Sequence, residues 1–128
     1  MLKPGYTSLD PDWLAPLRER VATEAPEVDF FVHVDSANHL SLEKIIVPRE
    51  KRNQGIGSRV MTLLITEADL RGVTMSLSPT REFGATSLDR LRRFYRRFGF
   101  SMNGGRIKDY TTRQAMLRLP AGPEGTDR

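Results

Sequence analysis

A glycine-containing loop between an apolar, strand-like stretch and a helix-like stretch most constrains how this chain can fold. The loop reads Arg52-Asn53-Gln54-Gly55-Ile56-Gly57; it follows residues 40–47 and opens the stretch 56–71. Glycine lets the backbone turn tightly and approach a ligand closely. The first amides of a helix have no acceptor within it, and the helix dipole places positive charge there. The order strand, glycine loop, helix therefore predicts an anion-binding site at the start of the helix.

Other phosphate-binding loops fit these residues less well. A Walker loop ends in Gly-Lys-Ser/Thr, whereas Gly57 is followed by Ser58 and Arg59. A dinucleotide-binding fingerprint has a third glycine where this chain has Val60. The loop by itself is also compatible with a turn that starts a helix and binds nothing, so a second motif is needed to decide.

Composition limits the classes of protein to which the chain can belong. It has 128 residues, a formal net charge of +4, a pI near 9.8 and no cysteine. The length favours one domain, predicted over residues 1–119, and the polar, turn-rich segment 120–128 is predicted to be a disordered tail. Without cysteine there is no disulfide, thiolate zinc site or cysteine nucleophile. No apolar run would span a membrane and no secretory signal is evident, so a soluble cytoplasmic protein is the default interpretation.

Hydrophobic periodicity and turn residues predict a mixed chain of class α/β or α+β. The predicted helices are Asp10 or Asp12 to about Glu24, Ile56 to Arg71, and a third that Thr86 or Ser87 caps and Gly99 ends; the predicted strands are 28–34, 40–47, 73–78, 100–102 and 112–119. Strict alternation over residues 73–78 predicts a half-buried strand, and Ala115, Leu117 and Leu119 alternate in the last predicted strand. The crossover from residue 40 to residue 78 implies a parallel pair inside a mixed sheet.

Two motifs together resemble those of the GNAT N-acetyltransferases. The strand end Ile45-Ile46-Val47-Pro48 with the glycine loop resembles their acetyl-CoA signature, R/Q-x-x-G-x-G/A, and residues 94–100, Phe-Tyr-Arg-Arg-Phe-Gly-Phe, resemble their L-Y-x-x-x-G-F pattern. The motifs lie in the family's order and span roughly residues 40–100. The resemblance implies a mixed central sheet flanked by helices and splayed between the strands ending at Val47 and starting at Val73. It also implies that acetyl-CoA lies in that wedge as the co-substrate.

The resemblance assigns cofactor contacts residue by residue. The pyrophosphate would rest on the loop amides, and the pantetheine would pair with the strand edge; the residues so assigned are Ile45, Ile46, Val47, Arg52, Asn53, Gln54, Gly55, Ile56, Gly57 and Ser58. Arg52 can also pair with a phosphate through two nitrogens. Many family members have an asparagine where this chain has Leu88, which leaves Ser87 as the alternative polar contact.

Two residues are the candidates for the chemistry of acetyl transfer. Tyr95 matches the family tyrosine that serves as general acid toward the thiolate, and its ordinary pKa of about 10 lies above that of a thiol, about 8.5. Glu43 is the candidate general base, directly or through water, because several family members place a glutamate there and alternation puts it on the face of Ile45 and Val47. His39 and His33 are alternatives for the base. No residues have metal-ligand spacing, so no metal is predicted.

The acceptor is left open by the sequence. A primary amine on a small molecule or a protein is the first hypothesis. Five arginines occupy positions 90, 92, 93, 96 and 97 of the third predicted helix. Three interpretations of them stay open: a solvated helix face, contact with the 3′-phosphate of CoA, or attraction of a nucleic-acid substrate such as an aminoacyl-tRNA or a DNA base. A non-catalytic acyl-CoA-binding module is the third hypothesis. The resemblance also makes a homodimer possible.

Overall fold

A five-stranded mixed sheet and three helices form the part of the chain that the computed structural model describes, residues 10–79, 87–105 and 108–121. The helices are α1 (Leu14–Glu24), α2 (Ile56–Arg71) and α3 (Leu88–Arg96); the strands are β1 (Asp29–Val34), β2 (Leu40–Ile46), β3 (Met75–Leu77), β4 (Ser101–Met102) and β5 (Met116–Arg118). A 3₁₀ turn, Arg49–Lys51, follows β2. The order across the sheet is β1-β2-β3-β5-β4, and only the β2–β3 pair is parallel. The predicted fold class and the parallel crossover are therefore confirmed.

Glycine and serine set the ends of the helices that border the site. Gly55 precedes α2 with φ 78°, and Gly72 ends it with φ 67°, a left-handed conformation that glycine adopts without strain. Ser87 caps α3 by accepting a hydrogen bond from the amide of Arg90 at 3.0 Å. The predicted cap of α1 was wrong, because the helix begins after Trp13 and no side chain caps it.

One face of the sheet supplies the core. Its buried side chains contact those of α1 and α2, which pack against each other; the strand members are Val32, Leu40, Leu42, Met75, Leu77 and Met116. In β5 the fully buried residue is Met116, whereas Leu119 is exposed, so the apolar alternation that predicted the last strand does not mark its core face. Arg118, two residues after Met116, binds Asp69 of α2 at 2.6 Å and so ties β5 to that helix.

The sheet opens beyond Leu42. β2 pairs with β3 only over Leu40–Leu42, opposite Met75–Leu77, so residues 43–46 have no strand partner on that side within the described chain. The predicted splay is present, although β2 ends at Ile46 and β3 begins at Met75. The register with β1 also shifts here: Phe31 lies opposite Lys44 and Val32 opposite Leu42, which leaves Glu43 without a partner as a β-bulge.

Two predictions fall on residues that the structure does not describe. They concern Thr86, the alternative cap of α3, and residues 122–128 of the predicted tail. Ala121, inside that predicted tail, donates its amide hydrogen to Asp69 at 2.9 Å. Among the helices that are described, none has the length and apolar character needed to cross a membrane.

Candidate active site

A cleft of about 710 Å³ lies where β2 and β3 diverge. The end of β2, the glycine loop, the first turn of α2 and one side of α3 line it. Of the twelve residues predicted for the site, eleven line this cleft, including both Glu43 and Tyr95; only Gln54 does not. The exposed Gln54 side chain instead donates to the carbonyl of Glu50 at 3.3 Å.

The loop presents an open helix N-terminus to the cleft. Asn53 and Gly55 both adopt left-handed conformations, with φ 64° and 78°, which turn the chain sharply into α2. No side chain caps Gly55, and Arg59 is the first residue of the helix whose amide bonds back, to the Gly55 carbonyl at 3.0 Å. In the described chain the amides of residues 56–58 therefore have no acceptor, which is the arrangement that favours an anion.

Gly57 lies beside the side chains of Phe94 and Val47 in the wall of the cleft. A Cβ atom on Gly57 would lie 3.7 Å from Phe94 Cζ and 4.0 Å from Val47 Cγ2, an ordinary contact distance. A Cβ atom therefore fits at position 57 without displacing these two neighbours.

Arg52 donates from Nε to the carbonyl of Val47 at 2.9 Å, so part of its role is to hold the loop against β2.

Tyr95 stands on the buried side of α3, with its ring packed edge-on against Phe94 and Phe100 at 5.2 and 5.9 Å between centroids. The residue is 6% exposed. Burial raises the pKa of Tyr95 to about 12, because the phenolate loses its hydration. The hydroxyl accordingly stays protonated near neutral pH and remains available as a donor. It forms no hydrogen bond within the described chain.

Glu43 lies on the other wall of the cleft. Its Oε2 accepts hydrogen bonds from Ser41 Oγ at 2.6 Å and from Gln114 Nε2 at 3.1 Å, and His33 Nδ1 lies 3.8 Å away. The prediction that Glu43 shares the face of Ile45 was wrong. Glu43 lies on the side of Ser41, as alternation requires, but the β-bulge interrupts the alternation after it, so Ile45 packs against the core.

The cleft is strongly asymmetric in charge. Five cationic side chains line it. They come from β2, the 3₁₀ turn, the glycine loop, α3 and the residue after α3: Lys44, Lys51, Arg52, Arg90 and Arg97. Glu43 is the single carboxylate among the described residues of the lining. This excess of positive charge suits a ligand with several phosphates.

The alternative bases are placed differently. His39 does not line the cleft; it is buried at the start of β2, with Nε2 3.6 Å from Asp109 Oδ2. His33 contacts Glu43 as described above. Within the ranges that the structure describes, no cluster of three or more histidine, cysteine or acidic side chains could hold a metal ion.

The sequence analysis missed three residues of the site or its surroundings: Phe94, Ser41 and Gln114. Phe94 belongs to the second motif, which is the signal that could have found it. Ser41 could have been found from its i, i+2 spacing to Glu43 on a strand, because that spacing places the two side chains on one face. Gln114 lies 71 residues from Glu43 along the chain, so no local pattern connects the two residues.

Comparisons with known proteins give a match to a family model and a similar solved structure. Residues 21–102, more than half of the chain, match the family model described as an acetyltransferase (GNAT) domain. Among solved structures the chain is similar to Ard1 from Thermoplasma volcanium, with 17% identity, a TM-score of 0.43, and coverage of 89% of this chain and 84% of that one. No characterised protein matched the sequence significantly. On the strength of the family match, the chain belongs to the GNAT acetyltransferase family.

Proposed function

We propose that this protein transfers an acetyl group from acetyl-CoA to a primary amine on a small molecule or a protein. One observation carries the proposal: a single cleft brings together an open helix N-terminus, an unpaired strand edge, Glu43 and Tyr95. The uncapped amides of residues 56–58 and the cationic lining fit a pyrophosphate, and the edge of β2 beyond Leu42 fits an extended amide chain. Acetyl-CoA, when bound, supplies the acetyl group as a thioester.

The residues of the cleft divide the proton transfers between them. Glu43 accepts the proton that the amine loses as its nitrogen bonds to the carbonyl carbon. The backbone edge near Val47 stabilises the negative charge on the carbonyl oxygen. Tyr95 donates a hydrogen bond to the sulfur as the carbon–sulfur bond breaks and the electron pair moves to the sulfur, and the thiolate that leaves takes its proton from water.

The experiment that tests cofactor binding is calorimetric titration with acetyl-CoA. The variant Gly57→Glu places a carboxylate in the proposed pyrophosphate position, and the ordinary contact distances around Gly57 indicate that the fold tolerates its Cβ. Thr66→Glu is the matched control, since it adds the same charge to an exposed position on the same helix. We expect binding by the wild type and the control and none by Gly57→Glu. Equal binding by all three proteins would remove the proposed pyrophosphate site.

A nucleic-acid acceptor is the second candidate, and the arginines of α3 favour it. Arg90, Arg93 and Arg96 are exposed and form no ion pair within the described chain. Arg92, by contrast, lies 3.4 Å from Asp89. Such a face would bind a polyanion with an affinity that falls steeply as salt increases. The test is tRNA and duplex DNA binding at low salt by the wild type and by a triple variant with Ala at positions 90, 93 and 96. No binding by the wild type would exclude this candidate.

A further inference from the structure

Glu43 is held by a chain of hydrogen bonds whose direction can be assigned from one end to the other. The amide of Ala115 donates to Ser78 Oγ at 2.9 Å, so Ser78 directs its own hydrogen elsewhere, and it lies 2.6 Å from Gln114 Oε1. The Gln114 carbonyl oxygen is therefore the acceptor at that end, and its NH₂ group must face the other way. That group donates to Ser41 Oγ at 2.9 Å and to Glu43 Oε2 at 3.1 Å.

The backbone around Gln114 is fixed as firmly as its side chain. Asn103, just after β4, donates from Nδ2 to the carbonyl of Gln114 at 3.1 Å and to that of Asp109 at 3.2 Å. It also accepts the amide hydrogen of Asp109 at 2.7 Å. The segment 109–114 is thereby tied to the end of β4, and Gln114 has little freedom to withdraw from Glu43.

The consequence falls on the two oxygens of the Glu43 carboxylate. Oε2 accepts hydrogen bonds from both Ser41 and Gln114, whereas Oε1 accepts none within the described chain. The carboxyl side chain keeps 38% of its surface exposed. Within the described chain, one oxygen is thus held by the protein, and the other is left without a hydrogen-bond donor.

We infer that Gln114 is a positioning residue for Glu43: its amide, oriented by Ser78, holds Oε2 so that Oε1 accepts the proton of the substrate amine. The inference rests on the proposed role of Glu43 as the base. It adds a residue that lies outside the segment matching the family model, residues 21–102. Gln114 does not line the cleft, so in this role it acts only through the geometry of the carboxylate.

A double-mutant cycle with Gln114→Leu and Glu43→Gln tests this inference. It uses steady-state kinetics with an acceptor amine found by screening, and both kcat and the KM for acetyl-CoA are measured. For Gln114→Leu we expect kcat to fall about tenfold, the effect of one lost hydrogen bond to a charged group, with KM changed less than about twofold. In the Glu43→Gln background the same substitution should have no further effect, because there is no carboxylate left to position. A purely structural role for Gln114 would reduce activity in both backgrounds.

Gln114→Glu is a second variant that keeps the inference testable if Gln114→Leu does not fold. It keeps the shape of the side chain and its acceptor for Ser78, but it replaces the donor with a second carboxylate, so kcat should fall at least as far. Wild-type kcat in either variant would overturn the positioning role, as would equal losses in the two backgrounds. If Glu43→Gln itself keeps wild-type kcat, the base assignment in the proposed function fails, and the inference fails with it. If Glu43→Gln is inactive but the Gln114 variants are fully active, only the inference fails.

Discussion

Replacing Tyr95 with phenylalanine removes the hydroxyl and nothing else. The ring keeps its edge-on contacts with Phe94 and Phe100, and the hydroxyl forms no hydrogen bond within the described chain. No buried donor or acceptor is therefore left unpaired by the substitution. We expect the thermal unfolding midpoint of Tyr95→Phe to match that of the wild type, so any loss of activity can be attributed to the chemistry.

The size of that loss follows from the pKa of Tyr95. A phenol with a pKa of about 12 lies some three to four pH units above a thiol near 8.5, so complete proton transfer to an aqueous thiolate would be uphill by about 5 kcal/mol. Tyr95 therefore contributes a hydrogen bond to the developing charge more than a completed transfer. Such a bond to a charged group is worth about 1.5–3 kcal/mol, which corresponds to a fall in kcat of roughly 10- to 150-fold. A larger loss, approaching 10⁴-fold, would indicate full general acid catalysis.

The assay is thiol release with a chromogenic disulfide at saturating amine, with acetyl-CoA affinity measured separately by calorimetry. Tyr110→Phe is the matched control, because it deletes the same hydroxyl from a ring that is 82% exposed and outside the cleft. We expect Tyr110→Phe to retain wild-type kcat and both variants to bind acetyl-CoA normally. The raised pKa of Tyr95 also predicts no loss of wild-type kcat from its ionisation below about pH 10. A Tyr95→Phe protein with wild-type kcat would refute the acid role.

Three further predictions concern stability. Burial alone would raise the pKa of Asp69, but hydrogen bonds from Arg118 and the Ala121 amide, together with the charge of Arg118, outweigh it and lower the pKa. Asp69→Asn should therefore lower the free energy of unfolding, measured in urea at pH 7, by about 2 kcal/mol. The control Asp29→Asn removes an exposed ion pair with Lys44 and should lower it by less than about 1 kcal/mol. Because the folded-state pKa of Asp69 is lowered, that stabilisation is present above the ordinary value of about 3.9 and is lost as pH falls through the folded value, so the wild type and Asp69→Asn should converge in acid. Ser87→Ala should lower stability by about 1 kcal/mol through loss of the α3 cap; an unchanged urea midpoint would contradict this. Gly55→Ala should cost about 1–2 kcal/mol from backbone strain alone, since its Cβ would meet no atom within 4 Å, and Gly55→Asn should cost less.

The sequence predicted the half of the cleft that the glycine loop and α3 form, because its determinants are local. Gly55 and Gly72 set the two ends of α2 through their own backbone conformations, and both ends were placed correctly. The second motif likewise located Tyr95 on α3 beside the cleft. Each of these features depends on residues within one turn or one helix, so a pattern of neighbours in the sequence is enough to identify it.

The surroundings of the proposed base could not be predicted in the same way. Whether Glu43 and Ile45 share a face depends on the register between β1 and β2, and a shift of one residue reverses every side chain beyond it. Nothing in the residues around Glu43 marks that shift. The burial of Met116 and the exposure of Leu119 depend in the same way on how β5 enters the sheet.

The β-bulge at Glu43 lies where the cleft opens, and it separates the proposed base from the apolar side chain two residues later. Pairing of β2 with β3 stops at Leu42, the residue before the bulge, so the strand edge on which an extended ligand would lie begins where the register shifts. Before the bulge, ordinary alternation places Glu43 on the side of Ser41, where both Ser41 and Gln114 donate hydrogen bonds to it. After the bulge, Ile45 returns to the core face, whereas a regular β2 would have placed it beside Glu43. The irregularity therefore coincides with the opening of the cleft at its β2 wall and keeps Ile45 in the core while Glu43 stays outside it.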